Sequence, residues 1–169
     1  LHSLGLLFHQ KGQNEKAREL VQRAIEINPH NINYNTNLAI ILNSLKLWEE
    51  AELVSRRAIE INQQHAEAFN NLGQSLAGQC KLDEAELAFN KAILFAPKNA
   101  AASNNLGNLY MQKHNYVLAA VFYSRAIEID KGFLLAYSNL ATTYLADNDL
   151  EFAEKVCNTA LAINPNFIP

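Results

Sequence analysis

The amino-acid sequence predicts an all-α protein, an α-solenoid of about five helix–turn–helix units, on three observations. First, three series of residues recur without a gap at steps of 34. They are Ala17, Ala51, Ala85, Ala119 and Ala153; Ala24, Ala58, Ala92, Ala126 and Ala160; and Leu4, Leu38, Leu72, Leu106 and Leu140. Self-similarity at a fixed period of this length marks supersecondary units that stack to bury a shared core. Second, the apolar residues inside a period follow helical spacing, with Phe69, Leu72 and Leu76 at i, i+3 and i+7. Third, the punctuation repeats. Pro29, Pro97 and Pro165 share one position, where a ring that cannot continue a helix ends it.

Taken in order, the first helix spans 1–11 and carries Leu4 and Gly5, and the second spans 15–27 with Ala17 and Ala24 and stops before Pro29. The next pair covers 32–45, with Leu38 and Ala39, and 49–61, with Ala51 and Ala58. A third pair covers 66–79, with Leu72 and Gly73, and 83–95, separated by a break around Gly78–Lys81. Asp83 and Glu84 open that second helix, where carboxylates suit the positive end of the helix dipole. The same logic gives 100–113 and 117–129, then 134–147 and 151–163. Each Leu of the third series precedes a small residue: Gly5, Ala39, Gly73, Gly107 and Ala141. A larger side chain at Gly73 or Ala85 would hold neighbouring backbones apart. Trp48, Leu82, Tyr116 and Leu150 share the position that opens the second helix, so Trp48 reads as core. Cys157 aligns with Val21, Ser55, Phe89 and Tyr123, which reads as a packing position.

Composition excludes several functions. The chain has 169 residues, 49% of them hydrophobic, and its 14 Lys+Arg against 17 Asp+Glu leave a net charge of −3. That is a globular composition with no basic cluster to neutralise a run of phosphates, so nucleic acid is not an expected partner. The uncharged stretch from Ile32 to Leu45 is interrupted by Asn residues, so membrane insertion is not expected either. Cys80 and Cys157 are too few for a disulfide framework and say little about compartment. The five His form no i, i+4 pair and no His-Glu-x-x-His motif, so no metal site is expected. Gly73 and Gly107 lie inside helices, without the preceding strand and following Lys of a phosphate loop, and no cofactor is expected. No nucleophile with a base partner emerges, so catalysis within this chain is not expected.

The 34-residue period, the Leu-Gly step, the two Ala of the second helix and the closing Pro together resemble the tetratricopeptide repeat. The resemblance covers a partial first repeat, 1–31, and then 32–65, 66–99, 100–133 and 134–167, one array over 1–169. It departs at Gln63 and Lys131, where Pro is replaced, and at Asn35 and Ser103, where the aromatic seen as Phe69 and Tyr137 is missing. These changes are expected to loosen individual turns. The resemblance implies a right-handed superhelix whose first helices line the concave face and whose second helices line the convex one. The chain begins part-way into a repeat and ends on apolar Phe167, Ile168 and Pro169. A longer array is therefore expected, with self-association through its ends.

Charge is distributed unevenly. Lys11, Glu67, Lys113 and Asp147 are the only charged residues on the five expected first helices, so the implied concave face is polar but nearly neutral. Amides occupy it. Asn37, Asn71, Asn105 and Asn139 recur directly before the Leu of the third series, with Ser3 in the first repeat. Beside them stand Thr36, Asn70, Asn104 and Ser138; one turn on are Gln74, Asn108 and Thr142. With 21 Asn in the chain, four of four at one position is about a one-per-cent coincidence across the period. An Asn side chain can bond both the N–H and the C=O of a peptide unit. Rows repeated at about 10 Å match roughly every third residue of an extended chain.

Two readings follow. In one, Asn37, Asn71, Asn105 and Asn139, with Asn70, Asn104, Gln74, Asn108, Thr36 and Thr142, hold an extended peptide by its backbone, and replacing Asn37, Asn71, Asn105 and Asn139 together by Ala barely alters stability because concave side chains face water. In the other, each Asn bonds a neighbouring helix. The row resembles the tetratricopeptide superhelix of O-linked N-acetylglucosamine transferase, where such a ladder contacts the backbone of protein substrates. The resemblance implies a substrate-recognition arm of a larger protein such as a glycosyltransferase. A two-carboxylate clamp for chaperone tails is disfavoured, because its positions carry His2, Thr36, Asn70, Asn71 and Ala101. The alternative is a structural scaffold that acts through its convex face or by end-to-end stacking.

Overall fold

The computed structural model describes residues 1–167; Ile168, which shares the expected end contact with Phe167, lies outside them. Among the described residues there are ten helices and no strand. They are α1 (His2–Gln10), α2 (Asn14–Ile27), α3 (Ile32–Ser44), α4 (Trp48–Ile61), α5 (Ala66–Gly78), α6 (Leu82–Phe95), α7 (Ala100–Gln112), α8 (Tyr116–Ile129), α9 (Leu134–Ala146) and α10 (Leu150–Ile163). Each boundary lies within one residue of the sequence expectation, and the architecture is the all-α helical repeat fold. The helices fall into two compact units, α1–α6 over Leu1–Phe95 and α7–α10 from Ala96 onward.

The turn inside each pair has one mechanism. Gly12, Lys46, Cys80, His114 and Asn148 all adopt positive φ, between 55° and 74°. The next N–H then reaches back to the final turn of the first helix. Gln13 donates to Phe8 O, Leu47 to Leu42 O, Lys81 to Leu76 O, Asn115 to Tyr110 O and Asp149 to Tyr144 O. This left-handed closure satisfies carbonyls that the ending helix leaves open.

The turn between pairs is closed by side chains. Asn62 and Asp130 accept, through Oδ1, from the backbone N–H of Gln64 and Gly132, each at 2.9 Å. These turns are the two without Pro, and the Pro165 turn closes on the same bond, from Asn166 N–H to Asn164 Oδ1 at 3.1 Å, so the Asx bond forms with or without the ring. Asn35, at the missing aromatic, donates to the Pro29 carbonyl at 3.1 Å. Tyr137, at the equivalent position, donates its hydroxyl to Lys131 O at 3.3 Å, so an amide and a phenol tie down the same turn. Asn31, His65 and Asn99 cap α3, α5 and α7 through side-chain acceptors.

The two Ala series are buried throughout, as are Leu38, Leu72, Leu106 and Leu140, whereas Leu4 is 47% exposed. The small residue after each Leu answers a large one on the second helix. A Cβ added at Gly73 would stand 2.6 Å from the Phe89 ring, at Gly107 2.6 Å from the Tyr123 ring, and at Gly5 2.7 Å from Val21 Cγ2. At the same repeat positions, Ala39 and Ala141 stand with the slimmer Ser55 and Cys157. The smallness thus admits a ring rather than only a backbone. Trp48 is half-buried and lies under Gly78, where a Cβ would collide with its indole.

Ion pairs sit on the second helices. Glu52 of α4 accepts from Gln79 Nε2 at 2.8 Å, Lys81 Nζ at 3.1 Å and Arg56 Nε at 2.9 Å. Partial burial pushes the Glu52 carboxyl up, but the bonds from Gln79, Arg56 and Lys81 outweigh it and hold its pKa below the ordinary range.

Candidate peptide-binding face

The first helices are more neutral than their sequence limits suggested. Lys11, Lys113 and Asp147 are the residues that end α1, α7 and α9, so Glu67 is the single charge inside α1, α3, α5, α7 and α9. The Asn series lies on these helices. In the first unit, the Asn37 amide nitrogen is 2.8 Å from His2 Nε2, and the His2 ring packs tilted against Tyr34 with centroids 4.5 Å apart. Burial, then the nearby terminal ammonium, lowers the His2 pKa, which favours the neutral ring. Asn71 donates Nδ2–H to the Thr36 carbonyl at 3.2 Å, and Asn43 donates to the Asn71 carbonyl at 3.1 Å and to Gln74 Oε1 at 3.4 Å.

The second unit repeats the device. Asn139 donates to Asn104 Oδ1 at 2.9 Å and to Asn108 Oδ1 at 3.3 Å. Tyr123, buried under Gly107, donates its hydroxyl to the same Asn108 oxygen at 2.7 Å, and burial pushes its pKa up. Asn37, Asn71 and Asn139 therefore make one bond in common, to the residue 35 positions back on the preceding first helix. That offset is one period plus one residue.

Exposure divides the ten candidate residues. Asn71 and Asn104 are each 2% exposed, and Asn70 and Thr36 are buried as well, so the expectation that the four Asn of the row face water fails at Asn71. Their positions are occupied by inter-helix packing, and Thr36 donates to Ile32 O within its own helix at 2.8 Å. Asn37, Asn105, Asn139 and Gln74 are half-buried, while Asn108 and Thr142 are exposed. The face accessible on the first unit is thus built from Asn37 and Gln74, and that on the second from Asn105, Asn108, Asn139 and Thr142. Asn43, an amide the sequence also places further along this face, was not among the ten, and nothing in the pattern showed that Tyr123 would reach Asn108.

The repeat sequence, the paired helices, the left-handed turns and the ring-against-glycine packing decide the family, and sequence models agree. Models described as tetratricopeptide repeat match residues 8–76, 66–99, 100–133 and 134–167. The chain belongs to the tetratricopeptide repeat family. No curated protein sequence matches it. Among solved structures, the chain is similar to TTC0263, a thermophilic tetratricopeptide protein of Thermus thermophilus, with a TM-score of 0.87 and 20% identity over 98% of this chain and 90% of that one. It is similar to PilW, a type IV pilus biogenesis factor, with a TM-score of 0.86 and 22% identity over 99% and 77%. YrrB, a tetratricopeptide protein with an unusual peptide-binding site, matches with a TM-score of 0.66 and 18% identity over 98% and 85%. At these identities the likeness is one of fold. A tetratricopeptide array is a protein–protein interaction module, and this chain is built as one. Among the described residues, no group of three or more His, Cys, Asp or Glu could hold a metal ion, and no helix is long and apolar enough to cross a membrane.

Proposed function

We propose that the tetratricopeptide chain binds extended peptide segments through the first-helix face of each unit. The observation that carries this reading is a face with one charge on five helices and an amide at the same place in four successive repeats. Such a surface has little to offer a charged tail and much to offer a peptide backbone, whose N–H and C=O are present whatever the side chains. The same row supports a role as a substrate-recognition arm, of the kind carried by O-linked N-acetylglucosamine transferase.

A scaffold role draws on the other face. Leu94 is 72% exposed and Val117 70% exposed on second helices. The first unit has an open groove of about 410 Å³ over Phe69, Leu76 and Leu87, rimmed by Arg56 and Glu84. The second has one of about 670 Å³ lined by Tyr116, Val117, Val121 and Tyr144. Exposed apolar side chains of this kind suit a folded partner.

A peptide selected by display on the intact chain separates the two. The peptide reading expects the affinity of each unit to fall about fivefold in the Asn37→Ala/Asn139→Ala chain, with one ligand hydrogen bond lost per unit. Leu87→Ala/Val117→Ala should leave it unchanged. The opposite pattern would place binding on the second helices and favour the scaffold.

A further inference from the structure

The contact that joins successive repeats is left open at α1 and at α10. Leu4 and Leu7 of α1 are 47% and 46% exposed, whereas the residues at their positions in α3, α5, α7 and α9 are 6% exposed or less. Within each unit that cover comes from the preceding second helix. Val21 and Ile25 of α2 pack in one cluster with Leu38 and Ile41 of α3, and Tyr123 and Ile127 of α8 pack with Leu140 of α9. The helix α10 carries Cys157 and Leu161 at these covering positions. Cys157 is half-buried, although Val21, Ser55, Phe89 and Tyr123 are buried at its position. Leu161 is 36% exposed, although Ile93 is buried at its own. One chain thus holds both halves of the contact that joins repeats within each unit, and each half lacks its complement.

We propose that the chain binds a second copy of itself head to tail, with α10 of one copy seated on α1 of the next as α2 is seated on α3. The apolar part of this contact sets Cys157 and Leu161 against Leu4 and Leu7, which removes exposed apolar surface from water on both sides. Its rim is complementary in charge. Within the first unit, Glu52 of α4 accepts from Gln79 and Lys81 in the turn after α5, and Arg18 of α2 pairs with Glu50 of α4 at 2.8 Å. Glu154 of α10 stands at the repeat position shared by Arg18 and Glu52. The positions that answer it, those of Gln79, Lys81 and Glu50, are held in the first repeat by Lys11, Gln13 and Lys16. The carboxylate of one copy therefore meets two ammonium groups of the next, and all three charged side chains are exposed on the single chain. The contact joins unlike surfaces, so a copy bound at one end still offers its other end. This association is separate from the peptide-binding face, and its failure leaves that reading standing.

Sedimentation velocity of the intact chain across a concentration series reads the association, with one variant for each half of the contact. Leu4→Lys/Leu7→Lys places charge in the α1 half, and Glu154→Lys/Leu161→Lys does so in the α10 half. Each alone should weaken self-association at least about tenfold, the scale of apolar side chains kept from burial. Mixed in equal amounts, the two should form a dimer and nothing larger, because the intact α10 of one sits on the intact α1 of the other while the two altered halves repel. Circular dichroism confirms that each variant is folded. Should either unfold, the exposed charges give a second set. Glu154→Lys should lose about threefold, and Lys11→Glu/Lys16→Glu added in the same chain should recover most of it. A wild-type chain that stays monomeric at the highest concentration would overturn the proposal and leave the α1 face to a different partner. Variants that associate as well as wild type would place the contact on another surface and overturn it too. A mixture that restores no dimer, or a charge swap that restores nothing, would overturn the head-to-tail geometry.

Discussion

At the scale of single residues, the backbone and the core make separate demands. Lys46, Cys80, His114 and Asn148 hold φ between 55° and 61°, a region that costs a side-chain-bearing residue and suits glycine, which Gly12 supplies at the first turn. Cys80→Gly should stabilise the chain by up to about 1 kcal/mol, read as a higher thermal midpoint. A lower midpoint would mean that the exposed thiol side chain contributes more than its backbone costs. Gly73 has the opposite sensitivity. Gly73→Ala drives a methyl into the Phe89 ring and should cost about 1–3 kcal/mol. Adding Phe89→Ser, which copies the Ala39 and Ser55 combination of the second repeat, should make the double variant less destabilised than the two single costs summed. Strict additivity in denaturant titrations would contradict a direct clash. The 34-residue step that relates Gly5 to Gly73 and Gly107 was legible in the sequence. Their pairing with Val21, Phe89 and Tyr123 was not, because a small residue shows only that something approaches and not what.

At the scale of elements, the helices were readable almost to the residue. The repeat supplies five independent views of each boundary, and the left-handed turn and the closing Asx bond recur with it. What periodicity could not reveal was the depth of each polar side chain. Asn71 and Asn37 occupy one repeat position, yet Asn71 is buried against Thr36 O while Asn37 is half-exposed beside His2. Asn71→Ala should therefore destabilise by about 1–2 kcal/mol through its lost inter-helix bond and packing. Thr142→Ala should stay within about 0.5 kcal/mol. Equal effects in chemical denaturation would show that the row is equally wet throughout. The bonds of Glu52 to Gln79, Lys81 and Arg56 tie α4 to the turn after α5. Because the folded-state pKa is below the unfolded one, their stabilisation is complete above the ordinary carboxylate range and is lost as pH falls through the folded value. Glu52→Gln should flatten that acid limb of stability, and a limb of unchanged steepness would assign it to other carboxylates. Since the cluster is largely at the surface, the effect is modest.

At the scale of the whole molecule, family and fold were legible in the period together with the Leu-Gly step, the two Ala and the closing Pro, whereas the ligand does not follow from either. The amide row was visible as a repeated letter. That part of it is spent on bonds between helices required coordinates, since a sequence shows that an amide is present and not which of its atoms is already bonded. The central claim is that ligand contacts lie on the neutral first-helix face of each unit. It is tested most directly by recording side-chain amide resonances of the intact chain while a display-selected peptide is titrated in, at low and at high salt. The account predicts shifts at Asn37 and Gln74 and at Asn108 and Asn139, with affinity nearly independent of ionic strength because almost no charge is there to screen. Shifts confined to second-helix residues around Leu87 and Val117, or an affinity that falls steeply with salt, would contradict it.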